Sequence, residues 1–197
     1  MRNVVPKDSR YIPFTQQKSC CVPTCLQMIM YKHSIPLIPA EEIGHNLGLV
    51  VNPDNALLFY NVRTLETPPR SGYGTRIFET KYNPTKVFKK LKIPLKVEII
   101  PVVRFKSVGG FEKYLTNIEK NDENVLLCFN YGVLSNDLSK SGGHVVVFDR
   151  LKKGGIRIID PSPSWPKWRI VTIAKMYKAM KKHKEKRSGG VWKITKI

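Results

Sequence analysis

Acidic residues are scarce in this chain. Of 197 residues only 15 are Asp or Glu, against 34 Lys and Arg, for a formal net charge of +19. That excess gives a positive surface potential and attraction to polyanions, without identifying one. Long apolar runs are missing too, and none approaches the roughly 20 residues of a membrane-spanning helix. No charged segment followed by an apolar run opens the sequence, so no secretory signal is expected and the expected location is cytoplasmic. Cysteine is sparse, at four residues, with Cys20 and Cys21 adjacent. Without a signal these are expected to be thiols in a reducing compartment, and the adjacency argues against a disulfide framework. Paired Cys-x-x-Cys units are lacking, so Cys20, Cys21, Cys25 and Cys128 are not expected to hold zinc. Ser71-Gly72-Tyr73-Gly74-Thr75 lacks the Gly-Lys-Ser/Thr ending of a phosphate loop and is expected to be a plain loop. There is no internal repeat and no low-complexity tract.

What remains is an ordinary globular composition, 42% hydrophobic and 25% charged, in a chain long enough for a real core. One domain over 1–197 is expected, helical over about 1–120 and sheet-forming over about 121–197. The most distinctive stretch is 16–31. Gln16, Gln17, Cys20 and Cys21 lie just ahead of an apolar run in which only Thr24 and Gln27 are clearly polar. A helix over roughly 22–32 would be buried nearly all round. Pro23 suits its first turn, where a missing N–H costs nothing. Cys21 then falls at the helix N-terminus, where unpaired N–H groups and the dipole favour a thiolate.

Around that stretch, 1–15 should be an extended lead-in, with Ile12-Pro13-Phe14 as a short edge strand. Short helices are predicted at 39–47 and from Asn83-Pro84, and an amphipathic helix at 109–120. Residues 95–103 are β-like, whereas 48–83 carries no lasting period. Strands are predicted from Asn124 to Tyr131, His144 to Arg150, Ile156 to Asp160 and Val191 to Ile197. Leu151 to Gly155 forms a hairpin turn. A helix over 170–185 would turn Ile170, Ile173, Ala174, Tyr177 and Met180 inward and Lys175, Lys178, Lys181 and Lys182 outward. Helices first and strands later suggest α+β with an antiparallel sheet.

A thiol nucleophile needs a base, and the base needs a group to orient it. His144 follows Ser141-Gly142-Gly143 and opens a strand whose hairpin partner ends at Asp160. If paired residue numbers sum to about 304–306, Asp160 lies opposite or diagonal to His144, and even sums put both on one face. Asp149 is a rival, but an odd separation along one strand points it away from His144. Cys20 is a rival nucleophile, one residue further from the helix. Singly, each of these is also what a core or surface residue looks like. Taken together they form a pattern.

Gln16 or Gln17 before Cys21-Val22-Pro23-Thr24, then Gly143-His144-Val145-Val146-Val147, then Asp160-Pro161, resembles the papain-like cysteine peptidases. Within them the motifs are most similar to the bacteriocin-processing, double-glycine leader peptidases of family 39 and their stand-alone relatives. The specific matches cover 12–31 and 141–163, and Val22 stands where that family commonly has Gly. The resemblance implies an α+β papain-like fold, a central buried helix bearing the nucleophile, and N-terminal helices packed on a C-terminal antiparallel sheet. It implies Cys21 as nucleophile, His144 as general base and then acid, and Asp160 as its orienter. Gln16, or alternatively Gln17, would be the oxyanion donor beside the Cys21 N–H. A peptide or protein substrate and a thioester intermediate follow, with no metal or cofactor. The same machinery would serve another acyl transfer, such as small-molecule amide hydrolysis. A catalytically silent module binding a polyanion through Lys175, Lys178, Lys181 and Lys182 is the contrasting expectation. The wider basic run reaches Arg187, with Lys167, Arg169, Trp165 and Trp168 upstream, so base stacking is conceivable there. His33, His45 and His183 are expected to be surface residues.

Overall fold

The structure, a computed structural model, describes residues 5–69, 72–137, 139, 142–183 and 189–197. Ser71, Ser141 and the end of the basic run, 184–188, lie outside the described residues. Helix α1 spans Cys21–Lys32 and α2 spans Ala40–Asn46. A two-residue parallel pair follows, β1 (Val50–Val51) with β2 (Arg63–Thr64). Then come α3 (Pro84–Lys90), β3 (Leu95–Pro101), α4 (Val108–Lys120), β4 (Asn124–Asn130) and α5 (Tyr131–Ser135). The chain closes with β5 (Gly143–Lys152), β6 (Gly155–Ile159), β7 (Trp168–Val171), α6 (Ile173–His183) and β8 (Gly190–Lys196).

The architecture is α+β. Six strands form one sheet in the order β3-β8-β4-β5-β6-β7, antiparallel at every step. The last strand in sequence is therefore interior, and β3, from the first half of the chain, forms an edge. Strand β4 is buried along its whole length because helices cover both faces. Alternation divides its side chains. Leu126 and Cys128 join a core with Leu26 and Ile29 of α1 and Phe88 of α3. Val125, Leu127 and Phe129 join a second core with Phe111 and Leu115 of α4 and Met176 and Met180 of α6. Such two-sided burial turns strands into continuous apolar runs. No helix among the described residues is long and apolar enough to cross a membrane.

Three local expectations are corrected. Ile12-Pro13-Phe14 forms no strand. Ile170 lies in the edge strand β7 and is 60% exposed, because the helix begins at Ile173 and not at 170. The inward face of α6 is consequently Met176, Ala179, Met180 and His183, while Ala174 is exposed and Lys175 half-buried. Lys178, Lys181 and Lys182 are exposed, as expected.

The β5–β6 hairpin contains the feature that aligns the site. Near the turn, Lys152 pairs with Gly155 and Arg150 with Arg157; beyond it, Phe148 pairs with Ile158 and Val147 with Ile159. Asp149 is thus one extra residue, a β-bulge on β5. Had the turn register continued, Val147 would face Asp160 and His144 would lie on the other side of the sheet. The bulge moves every β5 residue on its far side from the turn, 143–148, by one place. His144 then shares a face with Asp160, on the diagonal.

Candidate active site

The chain enters α1 through a tight turn. Ser19 adopts a left-handed φ of 64°, and the Cys20 N–H donates to the Gln17 carbonyl at 3.0 Å. Helix α1 buries Val22, Cys25, Leu26, Met28, Ile29 and Met30, close to the all-round burial expected, and carries no acid in its first turn. The turn sends the two adjacent sulfurs in different directions. Cys20 is fully buried against Leu49 and Val51, and burial pushes its thiol up to about 12. Cys25 is buried too, its thiol donating to the Val145 carbonyl at 3.5 Å, and burial lifts it well above the usual range. Cys21 is half-buried and lines a cleft of about 150 Å³. No disulfide joins the four cysteines.

His144 lines the same cleft. Its Nε2 donates to Asp160 Oδ1 at 2.7 Å, which leaves Nδ1 as the nitrogen that can meet a thiol. The edges of Phe129 and Tyr131 pack on the imidazole, with centroids 5.8 and 5.5 Å away. Burial disfavours the imidazolium. Hydrogen bonds to Asp160 and to Cys21, with the charges of both, outweigh it and raise His144 to about 9. Asp160 is fully buried. Burial would raise it, but His144, the Ser162 N–H and Arg169 together hold it below the ordinary carboxylate value. The Ser162 N–H donates to Oδ1 at 3.0 Å and Arg169 Nη1 to Oδ2 at 3.1 Å. Lys167, also buried, donates to the carbonyls of Pro161 and Ser162 at 3.1 and 3.2 Å, which fixes the loop that ends β6.

The two glutamines diverge. Gln17 is exposed, and its amide donates to the Leu58 carbonyl at 2.5 Å. Gln16 is tied to the rim of the site, its N–H donating to the Pro161 carbonyl at 2.9 Å. Its side-chain Oε1 is buried without a hydrogen-bond partner. Asp149 accepts from Arg157 Nε at 2.5 Å and from the Arg10 N–H at 2.8 Å, at the far end of the hairpin from His144.

Several residues of the site were not foreseen. His183 is 5% exposed, not a surface residue, and lines the cleft. A Cβ on Gly143 would meet the His183 ring at 2.5 Å, so glycine there permits the close approach. The Met176–Met180–His183 spacing carried this signal, hidden by starting the helix three residues early. His33 and His45 are half-buried; His33 meets the Asn124 amide at 2.8 Å. Residues 73–79, within the stretch that showed no period, form another wall of the cleft. Arg169, Trp165 and Tyr131 surround Asp160 and His144. Among the described residues no group of three or more His, Cys, Asp or Glu is arranged to hold a metal ion.

No family model matches the sequence, and no curated protein matches it. Among solved structures the chain is similar to a "putative C39-like peptidase" from Bacillus anthracis, at 18% identity over 94% of this chain and 95% of that one, with a TM-score of 0.57. The two share a fold. That fold extends over nearly the whole of both chains, including the middle region, where the motifs gave no guidance. A double glycine motif protease from an AMS/PCAT transporter, solved with its leader peptide, is more distant, at 13% identity over 98% of this chain and 97% of that one, with a TM-score of 0.44.

Proposed function

We propose that this chain is a papain-like thiol hydrolase, a cysteine peptidase cleaving peptide or isopeptide bonds. The observation that carries the reading is the imidazole of His144, held on one nitrogen by a buried carboxylate at 2.7 Å and lining the same cleft as the Cys21 thiol. Cys21 is the nucleophile. Cys20 and Cys25 are poorly suited, because burial keeps both protonated near neutral pH and the thiolate is the reactive form. His144 takes the thiol proton as the sulfur attacks, through the ring nitrogen that Asp160 leaves free.

In the reaction the Cys21 sulfur attacks the carbonyl carbon, and a tetrahedral oxyanion forms. Gln16 and the Cys21 N–H are the proposed donors to that oxygen, one such donor typically giving about 3 kcal/mol. Gln17 is less suited, since its amide is engaged by Leu58. The His144 imidazolium protonates the leaving amine, and a thioester remains on Cys21. His144, now neutral, takes a proton from water, which attacks the thioester and releases the acid. Asp160 holds the imidazole orientation throughout.

The test compares the chain with its Cys21→Ala variant on a diverse peptide library, reading new N-termini by mass spectrometry. Cleavages that require Cys21 are expected. A library returned unchanged by an intact, reduced enzyme would remove the peptidase reading.

A further inference from the structure

We infer that Arg169 is a positioning residue for this site: its guanidinium fixes the second oxygen of Asp160 and, through it, the His144 imidazole. The inference rests on the thiol-hydrolase reading above and extends it to a residue that sequence grouped with the basic surface.

In a chain of net charge +19, a cation is normally best left in solvent. The Arg169 side chain is instead only 15% exposed and is engaged on two sides. Nη1 donates to Asp160 Oδ2 at 3.1 Å. The guanidinium lies over the Trp165 ring, 4.3 Å from its centroid. Trp165 Nε1 donates in turn to Tyr131 Oη, and the Tyr131 ring packs its edge on His144. The contacts close a ring: His144, Asp160, Arg169, Trp165, Tyr131 and back to His144.

That ring has a physical consequence. Asp160 Oδ1 is occupied by His144 and the Ser162 N–H. Among the contacts of Asp160, Arg169 is the one on Oδ2. Without it a buried carboxylate oxygen loses its donor, which is costly, and the carboxylate is freer to turn about its Cβ–Cγ bond. The planar guanidinium can stack on an indole while donating in its own plane, which an ammonium cannot do equally well. Arg169 also offsets part of the Asp160 charge and so limits how far that carboxylate raises the imidazole. Among the described residues, the other titratable or charged groups that share the cleft or pack beside His144 are Cys21 from α1, Tyr73, Arg76 and Glu79 from the opposite wall, Cys128 from β4, Tyr131 from α5, His183 from α6, and Lys167 beside Asp160.

The experiment uses the full chain and its Arg169→Gln and Arg169→Lys variants. The His144 imidazole is titrated by NMR, and Cys21 alkylation by iodoacetamide is timed at neutral pH. Arg169→Gln is expected to move the His144 midpoint up by about half a unit or more. It should slow alkylation about ten- to a hundredfold, as misorientation does. Arg169→Lys should bring the midpoint back toward the parent value while alkylation stays slow. Trp165→Phe keeps a ring beneath the guanidinium and should leave the midpoint in place. A midpoint unmoved or lowered in Arg169→Gln, with the parent showing His144-dependent alkylation, overturns the inference, as does a Lys variant indistinguishable from Gln. Absence of His144-dependent alkylation in the parent would instead count against the underlying hydrolase reading.

Discussion

The two ends of the β5–β6 hairpin each bury a carboxylate completely, Asp149 near the turn and Asp160 at the rim. Asp149 faces Arg157 and the N–H of Arg10, and Arg157 reaches on to Asp8 at 2.8 Å. Arginine does not titrate in the accessible range, and these contacts tie the lead-in segment to the sheet. Asp160 faces an imidazole on one oxygen and a guanidinium on the other. The imidazole does titrate, and it opens on a cleft that holds a thiol. Burial and residue type are the same at both ends. The partner decides whether a buried carboxylate fastens the fold or sets up chemistry.

The sharpest way to break the comparison is to remove one charge at a time. Asp160→Asn keeps the shape and is expected to lower kcat/KM about ten-thousandfold, the size of effect seen when an orienting carboxylate is neutralised. Asp149→Asn should do the reverse. Stripping Arg157 of a buried counter-charge should cost about 3 kcal/mol in denaturant unfolding, with the folded fraction retaining its Cys21 reactivity. Equal effects of both variants on activity per folded molecule would erase the distinction.

A pH titration of stability sharpens it further. His144 is raised from 6.5 to about 9, so its contribution is fully present below 6.5 and is lost as pH rises through 9. The loss should be roughly 3 kcal/mol in denaturant midpoints read across that window, and absent in His144→Gln. Asp160, held below 3.8, contributes above that value, and its share is lost as pH falls through its depressed folded-state value. The smallest contrast lies in the two glutamines. Gln16→Ala should cost about a hundredfold in kcat/KM, and Gln17→Ala no more than about threefold, since removing an exposed hydrogen bond has a small net effect.

Much of this hairpin was legible in the sequence. Gly154 and the flanking apolar runs located the turn, and Asp160-Pro161 marked the rim. The bulge was not legible, because a one-residue register shift leaves no periodic trace in strands buried on both faces. Allowing a range of pairings kept His144 and Asp160 together without naming the cause. The α1 helix was legible because its apolar run is long and Pro23 marks its start. Strand β7 was missed because four residues ahead of a helix, ending in Ile170 and Val171, extend the helical pattern by one turn. That error turned the helix face and hid His183. Arg169 was out of reach, since no local pattern separates a basic residue stacked on an indole from one in solvent. The same holds for residues 73–79, which reach the cleft by tertiary packing.

The pairing of Cys21 with His144 is tested most directly by site-resolved alkylation. Limiting iodoacetamide is added across a range of pH to the native chain and to His144→Ala, and the modified cysteine is read by peptide mass spectrometry. Cys21 should react first of the four at neutral pH, with Cys20 and Cys25 protected, and its rate should fall at least about tenfold in the variant. Cys21 reacting no faster than its buried neighbours, or equally fast without the imidazole, would contradict the account.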